Sequence, residues 1–209
     1  MLFLLKTTSD FSFFYFFRLN LFGFTNTFPM EKININGKTF KTFIPYSDII
    51  SAIDDVSEKI NADFEGTDEV PILLCVLNGS IMFMGELMKR LRFDCNIVSI
   101  KLSSYDGTKS TGHVRQALGL TSSIKGKKVI VVEDIVDSGN TIVELKNILA
   151  EAGAEESYIC TMLFKPEAYK QDVKLDYVAM EIPNDFIVGF GLDYDEIGRN
   201  YKDIYVLEQ

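Results

Sequence analysis

The chain has 209 residues, 47% hydrophobic and 24% charged, which suits one well-buried globular domain and is too short for two of ordinary size. A net charge of −9 and a pI near 4.7 argue against a nucleic-acid groove, which needs a basic stripe, so an anionic ligand has to be held by local geometry. Cys75, Cys95 and Cys160 are far apart and His113 is the only histidine, which excludes a zinc site of ordinary spacing and implies free thiols in a reducing cytoplasm.

Residues 1–29 differ from the rest of the chain. They hold nine of the seventeen phenylalanines, broken by Lys6, Asp10 and Arg18, so neither a secretory signal nor a membrane-spanning run of about 20 apolar residues fits. The expectation is a Phe-rich extension, non-native through a start codon placed upstream of Met30 or disordered, with a single domain over 30–209. A targeting segment or an ordered extension is the alternative.

From Glu31 the pattern is regular. Ile33, Ile35, Phe40 and Phe43 alternate with polar residues around Asn36-Gly37, the signature of a hairpin. Ser47 is expected to cap a helix whose apolar positions Ile49, Ile50, Ile53, Val56 and Ile60 keep helical spacing. Val70 to Leu77 reads as a buried strand that ends in the polar turn Asn78-Gly79-Ser80, with helix through Met82, Leu87, Met88 and Leu91, then a strand at Ile97–Ile100. Residues 102–118 lack periodicity. A loop of that length predicts a functional, mobile lid, a plain surface hairpin being the alternative.

The stretch Lys127–Thr141 carries the strongest chemistry. Val129–Val132 reads as a buried parallel strand that stops at Glu133 and Asp134, and the turn Asp137-Ser138-Gly139-Asn140-Thr141 opens a helix with apolar Ile142, Leu145, Ile148 and Leu149. Free N–H groups of such a loop and the helix start form an oxyanion cradle, with Ser138 and Thr141 as hydroxyl donors and Gly139 allowing close approach. Helix capping alone would need one acceptor, whereas Glu133, Asp134 and Asp137 lie within five residues and repel one another. The acidic pair calls for ribose hydroxyls or a divalent cation. Beyond it, Ser157–Phe164 forms a strand ending in Lys165-Pro166, and Tyr177–Met180 and Phe186–Gly191 give two more, the last running into Leu192-Asp193-Tyr194. Strands alternating with helices predict an α/β fold with a doubly wound, mainly parallel sheet and ligands beyond the carboxyl ends of its strands, where Asn78, Glu133, Asp137, Lys165 and Asp193 fall.

Residues 31–209 resemble the hypoxanthine-guanine branch of the type I phosphoribosyltransferase superfamily. The likeness rests on Val131–Thr141, which is similar to that superfamily's phosphoribosyl diphosphate loop. Leu77-Asn78-Gly79-Ser80, Ser104-Tyr105, Lys165-Pro166, Phe186–Gly189 and Leu192-Asp193-Tyr194, in that order, select the branch. The resemblance implies a small hood made from N- and C-terminal segments and the mobile loop, and purine salvage from phosphoribosyl diphosphate and an oxopurine with magnesium. It implies ribose contacts from Glu133 and Asp134, a 5′-phosphate site at Asp137, Ser138, Gly139, Asn140 and Thr141, and Asp137 as general base at N7. Diphosphate would meet Asn78, Gly79, Ser80, Ser104, Tyr105 and Arg199. The purine would meet Lys165 at its 6-oxygen, Phe186 by stacking, and Ile187 and Asp193, while Asp193 with Glu133 and Asp134 would serve the metal. It also implies a homodimer or homotetramer, and no nucleic-acid or membrane partner is expected. Many relatives carry lysine in the first diphosphate loop where this chain has Asn78, which leaves backbone N–H groups and an unusual peptide as the means of binding there. A regulator of the same fold, or a transferase for xanthine or a pyrimidine, is the alternative.

Overall fold

The computed structural model describes residues 31–103, 115–118, 120 and 123–208, so the Phe-rich stretch 1–29 and the centre of the expected lid lie outside the described residues. Strands β1 (Lys32–Ile35) and β2 (Lys38–Ile44) pair antiparallel about Asn36-Gly37, whose φ angles of 50° and 78° are those of the two-residue hairpin expected there. Helix α1 (Tyr46–Phe64) follows and buries Ile49, Ile53, Val56 and Ile60 as its spacing predicts. Its cap is not Ser47. Pro45, with φ fixed at −64°, takes the cap position without a side-chain acceptor, and Ser47 lies within the first turn, where its hydroxyl donates to Asp48 at 3.2 Å.

The core sheet comprises β3 (Ile72–Val76), β4 (Asn96–Ser103), β5 (Arg115–Leu118), β6 (Lys128–Val136), β7 (Glu156–Phe164) and β8 (Tyr177–Glu181). Its order is β5-β4-β3-β6-β7-β8, every pair parallel except the antiparallel edge strand β5. The region expected to be loop throughout 102–118 therefore contributes a strand end and a short strand, paired as a hairpin. Helices α1 and α2 (Ile81–Met88) cover one face, and α3 (Asn140–Glu151) covers the other. All five residues of β3 and five successive residues of β6, Val129–Glu133, are buried, as parallel strands between two helical layers have to be.

A second, four-stranded antiparallel sheet, ordered β1-β2-β10-β9, makes the hood from β9 (Ile187–Val188) and β10 (Ile204–Leu207) together with the hairpin. The strand expected over Phe186–Gly191 shrinks to two residues of this sheet, because Gly189, Phe190 and Gly191 all have positive φ (99°, 46° and 98°) and turn the chain away. Its small core is Ile35, Phe40, Val188 and Tyr205. Among the described residues no helix is long and apolar enough to cross a membrane.

Candidate active site

Strand β6 does not stop at its carboxylates. It carries them: Glu133 pairs with Thr161, and pairing continues to Val136 opposite Phe164. Neighbouring strand residues differ in the side they face, so the two acids have different immediate surroundings while their charges still reach each other. Glu133 points inward at 7% exposure, its Oε2 without a hydrogen-bond partner among the described residues. Asp134, half-buried, takes the Ile135 N–H on Oδ1 at 2.9 Å. Burial, then the charges of Asp134 and Asp137, push the Glu133 carboxyl well above the usual range. Burial pushes Asp134 up to about 6, against the pull of backbone N–H groups and Arg199. An orphaned acceptor beside a second perturbed acid is a site awaiting donors or a cation.

Past β6 the chain forms the cradle. Asp137 is exposed, and its Oδ1 accepts the Ser138 N–H. Gly139 precedes α3 with φ 81° and has no side chain to cap it, so the first-turn N–H groups stay available to an anion. A Cβ at Gly139 would stand 2.4 Å from Tyr169 Cε2 and 2.8 Å from Gln171 Cγ. The segment after β7 thus lies against the cradle, where Gln171 donates to Asn140 Oδ1 at 2.8 Å and Lys170 N–H to Ser138 O at 3.4 Å. Thr141 remains exposed, Ser138 half-buried.

The turn after β3 crosses directly above the acids. The Leu77–Asn78 peptide is cis. A Cβ on Gly79 would fall 1.6 Å from Asp134 Oδ2, and one on Gly191 would fall 1.9 Å from Gly79 O. Only glycines allow these three segments to touch. Ser80 departs from its expected role: the residue is fully buried, its hydroxyl donates to Val76 O at 2.6 Å and lies 3.2 Å from Cys75 Sγ, and its N–H reaches Val76 O at 3.4 Å. Both its donors are turned inward, so it braces the turn from below and offers a ligand neither hydroxyl nor amide.

On the other side of the acids, Lys165 N–H donates to Val136 O at 2.9 Å, which fixes the exit of β7 beside Asp137. Its ammonium donates to Asp185 O at 2.7 Å. The residue after Asp185, Phe186, is 46% exposed although it opens an apolar strand; its ring meets Tyr194 edge-on at 5.6 Å and Phe40 at 6.1 Å. Ile187 is buried and pairs with Val206, leaving its main chain as its polar part. Asp193 accepts the Glu196 N–H at 2.7 Å and forms an ion pair with Arg199 at 2.7 Å, while Arg199 also donates to Gly191 O at 2.8 Å.

A model of the phosphoribosyl transferase domain matches residues 46–195. The chain is 38% identical over 182 residues to the hypoxanthine-guanine phosphoribosyltransferase of Lactococcus lactis, covering 86% of this chain and 96% of that one. It superposes with a TM-score of 0.74 on a hypoxanthine phosphoribosyltransferase of Staphylococcus aureus, 34% identical over 80% of this chain and 90% of that one. A hypoxanthine-guanine phosphoribosyltransferase of Bacillus anthracis gives a TM-score of 0.73 at 36% identity, with 80% and 96% covered. The chain belongs to the phosphoribosyltransferase family. In this phosphoribosyltransferase the contacts above join Gly79 to Asp134 and Gly191, Lys165 to Val136 beside Asp137, and Lys165 to Asp185 beside Phe186. Ser104 and Tyr105 lie outside the described residues.

Three contributors escaped sequence reasoning. Tyr194 forms the aromatic wall behind Phe186, with Lys38 Nζ 4.4 Å from its ring centroid. Tyr169 and Gln171 border the cradle. Tyr169 and Gln171 belong to no local motif, whereas Tyr194 stands in Leu192-Asp193-Tyr194, where sequence reasoning assigned it no role of its own. Among the described residues no three carboxylate, histidine or cysteine groups stand together as a cage, and Asp193 meets Arg199 and the Glu196 N–H. Magnesium needs about six oxygens and commonly takes one or two from protein with the rest from water and phosphate. The orphaned Glu133 Oε2 beside Asp134 fits that chemistry, with ligand oxygens completing the set.

Proposed function

We propose that this phosphoribosyltransferase moves the 5-phosphoribosyl group from phosphoribosyl diphosphate to hypoxanthine and guanine, releasing diphosphate in purine salvage. The observation that carries the base assignment is the pairing of an exposed Phe186 ring with the Lys165 ammonium, which is anchored on the carbonyl immediately before that ring. An aromatic face for stacking and a cationic donor at its edge suit a 6-oxopurine, whereas the 6-amino group of adenine would meet a donor with a donor.

Each residue then has a task. The cradle N–H groups with Ser138 and Thr141 hold the 5′-phosphate, and Glu133 and Asp134 take the ribose hydroxyls, whose two donors answer their unmet acceptors. Asp137, exposed at the cradle rim, accepts the N7 proton as the purine attacks the anomeric carbon and returns it in the reverse reaction. Asn78 and Gly79 offer backbone N–H groups, and Arg199 charge, to the departing diphosphate. Bound magnesium, which Asp193, Glu133 and Asp134 would hold together with diphosphate oxygens, supplies neutralisation of the leaving group's charge. Three free thiols, two of them buried, are consistent with a cytoplasmic enzyme. The resemblance implies a homodimer or homotetramer.

Incubation with phosphoribosyl diphosphate and magnesium against hypoxanthine, guanine, xanthine, adenine and uracil tests the reading. Nucleotide is expected from hypoxanthine and guanine. Product only from xanthine or uracil would move the enzyme to another base, and no product from any base would leave a sensor of the same fold.

A further inference from the structure

Helix α1 begins without a cap of its own, yet its first N–H is not left unpaired. Tyr46 N–H donates to Asp203 Oδ1 at 2.7 Å, a contact across 157 positions of sequence. Asp203 is only 8% exposed, forms no ion pair among the described residues, and has as its other partner the Tyr205 hydroxyl at 3.4 Å. A carboxylate is kept inside a protein where it is hydrogen-bonded, and a helix N-terminus is a favourable place for it. Asp203 caps a core helix from the far end of the chain.

What that cap holds in place is the hood. Asp203 leads into β10, whose register on β2 shifts between Ile204 and Tyr205, right after the capping residue. The backbone of Gly189 lies so close to Asp203 that a Cβ there would stand 2.1 Å from Asp203 O. Gly189 is the direct continuation of β9, and Phe186 immediately precedes that strand. Phe190 N–H donates to Tyr201 O at 2.8 Å, and the Phe190 ring packs on Tyr46, centroids 6.3 Å apart. Tyr46 in turn donates its hydroxyl at 3.1 Å to Glu86, on the helix that begins just after the diphosphate turn. Asp203 thus joins the start of α1 through its carboxylate, the end of the base-stacking strand through its main chain and, by way of Tyr46 and Glu86, the helix behind the diphosphate turn.

We propose that Asp203 is a positioning residue for the purine base: by accepting the Tyr46 N–H it sets the distance between the hood strand that carries Phe186 and the core that carries the acids. It touches neither substrate. The proposal rests on the base assignment made above and adds to it a residue outside every motif of the chain.

The test compares Asp203→Asn, which keeps an oxygen acceptor toward Tyr46, with Asp203→Ala, which removes it. For Asp203→Ala, KM for hypoxanthine is expected to rise about tenfold, as displaced binding groups do, with KM for phosphoribosyl diphosphate and kcat per active site changing about twofold or less. Asp203→Asn restores the KM for hypoxanthine to within about threefold of the starting enzyme, since an amide oxygen serves as a cap nearly as well as a carboxylate. Hydrogen exchange at the Tyr46 amide is expected to accelerate in Asp203→Ala and not in Asp203→Asn. The proposal is overturned if Asp203→Ala lowers melting temperature or active fraction alone while leaving KM for hypoxanthine unchanged, or if Asn is no better than Ala. Failure of the unmodified enzyme to use hypoxanthine would instead count against the base assignment, and is seen before any variant is made.

Discussion

Every group assigned to ribose and 5′-phosphate, from Glu133 to Thr141, comes from nine consecutive residues, while the base side draws Lys165, Phe186 and Ile187 from separate strand ends and rests on β2, β10 and a cap from Asp203. The first region is a strand end and a helix start, whose geometry follows from local backbone rules. The second is a small antiparallel sheet whose two halves, β1–β2 and β9–β10, lie 140 or more positions apart along the chain, β2 ending at Ile44 and β9 beginning at Ile187. On the proposed reading, the groups for the sugar phosphate come from one short segment, and those for the base are assembled from segments far apart along the chain. The two meet at Gly79 and Gly191.

The largest effect is expected within the local region. Asp137→Asn keeps the shape of the cradle rim but cannot take the N7 proton, so turnover with hypoxanthine is expected to fall by about 10²–10⁴-fold, the usual range for a lost general base. The melting temperature stays unchanged, because Asp137 is exposed and its contact is to the next residue. Near-normal turnover would remove Asp137 from the base role. The next effect breaks the joint. Gly191→Ala places a methyl 1.9 Å from the carbonyl oxygen of Gly79 at φ 98°, where neither backbone can yield without shifting a whole turn. Its kcat/KM for phosphoribosyl diphosphate is expected to drop about 10²-fold through misplacement of the diphosphate turn. A variant that loses only melting temperature would mean that hood and cradle act independently.

How much of this was legible in the sequence obeys the same division. Residues 127–141 could be read as strand, acids, anion loop and helix, since β-branched runs, Gly139 and the apolar spacing of α3 all act locally. The hairpin was legible from Asn36-Gly37 for the same reason. What escaped depends on partners remote in sequence. β10 is four residues long near the chain's end, without the polar alternation that marks a half-exposed strand, and only its pairing with β2 and β9 makes it one. Ser47 had the right chemistry for a cap, but Pro45 set the helix start earlier and Asp203 supplied the acceptor. Ser80 sat in a turn that reads as exposed, and its burial is visible only once α2 folds against β3. The acids were expected to end β6, yet nothing local obliges a strand to stop at a carboxylate when its neighbour β7 offers Thr161 and Leu163 to pair with.

A smaller effect sharpens the base side. Phe186→Ala removes an exposed ring that meets Tyr194 edge-on and Phe40 at a tilt, with Lys38 Nζ 6.0 Å from its centroid. KM for hypoxanthine and guanine is expected to rise roughly tenfold, in line with the stacking of a base on an aromatic ring, and KM for phosphoribosyl diphosphate to stay level. Equal change in both constants would place Phe186 in the general packing of the hood instead of under the base.

The smallest effect is on stability and returns to the acids of β6. Asp134 has its carboxyl pushed up to about 6 by burial, so the folded protein binds that proton more tightly than the unfolded chain does. Its contribution to stability is therefore fully present below the ordinary value of 3.8 and is lost as the pH rises through about 6. At pH 7.5 the ligand-free protein bears the ionised form, at a cost of roughly 2 kcal/mol after allowance for partial exposure. Asp134→Asn removes that cost: it is expected to melt a few degrees higher than the starting protein at pH 7.5 and level with it near pH 4. Thermal melts of both proteins across that range without ligand measure it, and parallel curves would show that Asp134 titrates as a solvated acid. The same variant is expected to bind phosphoribosyl diphosphate more weakly, because in the proposed reading the acceptor that destabilises the empty site is the one the ribose hydroxyls satisfy.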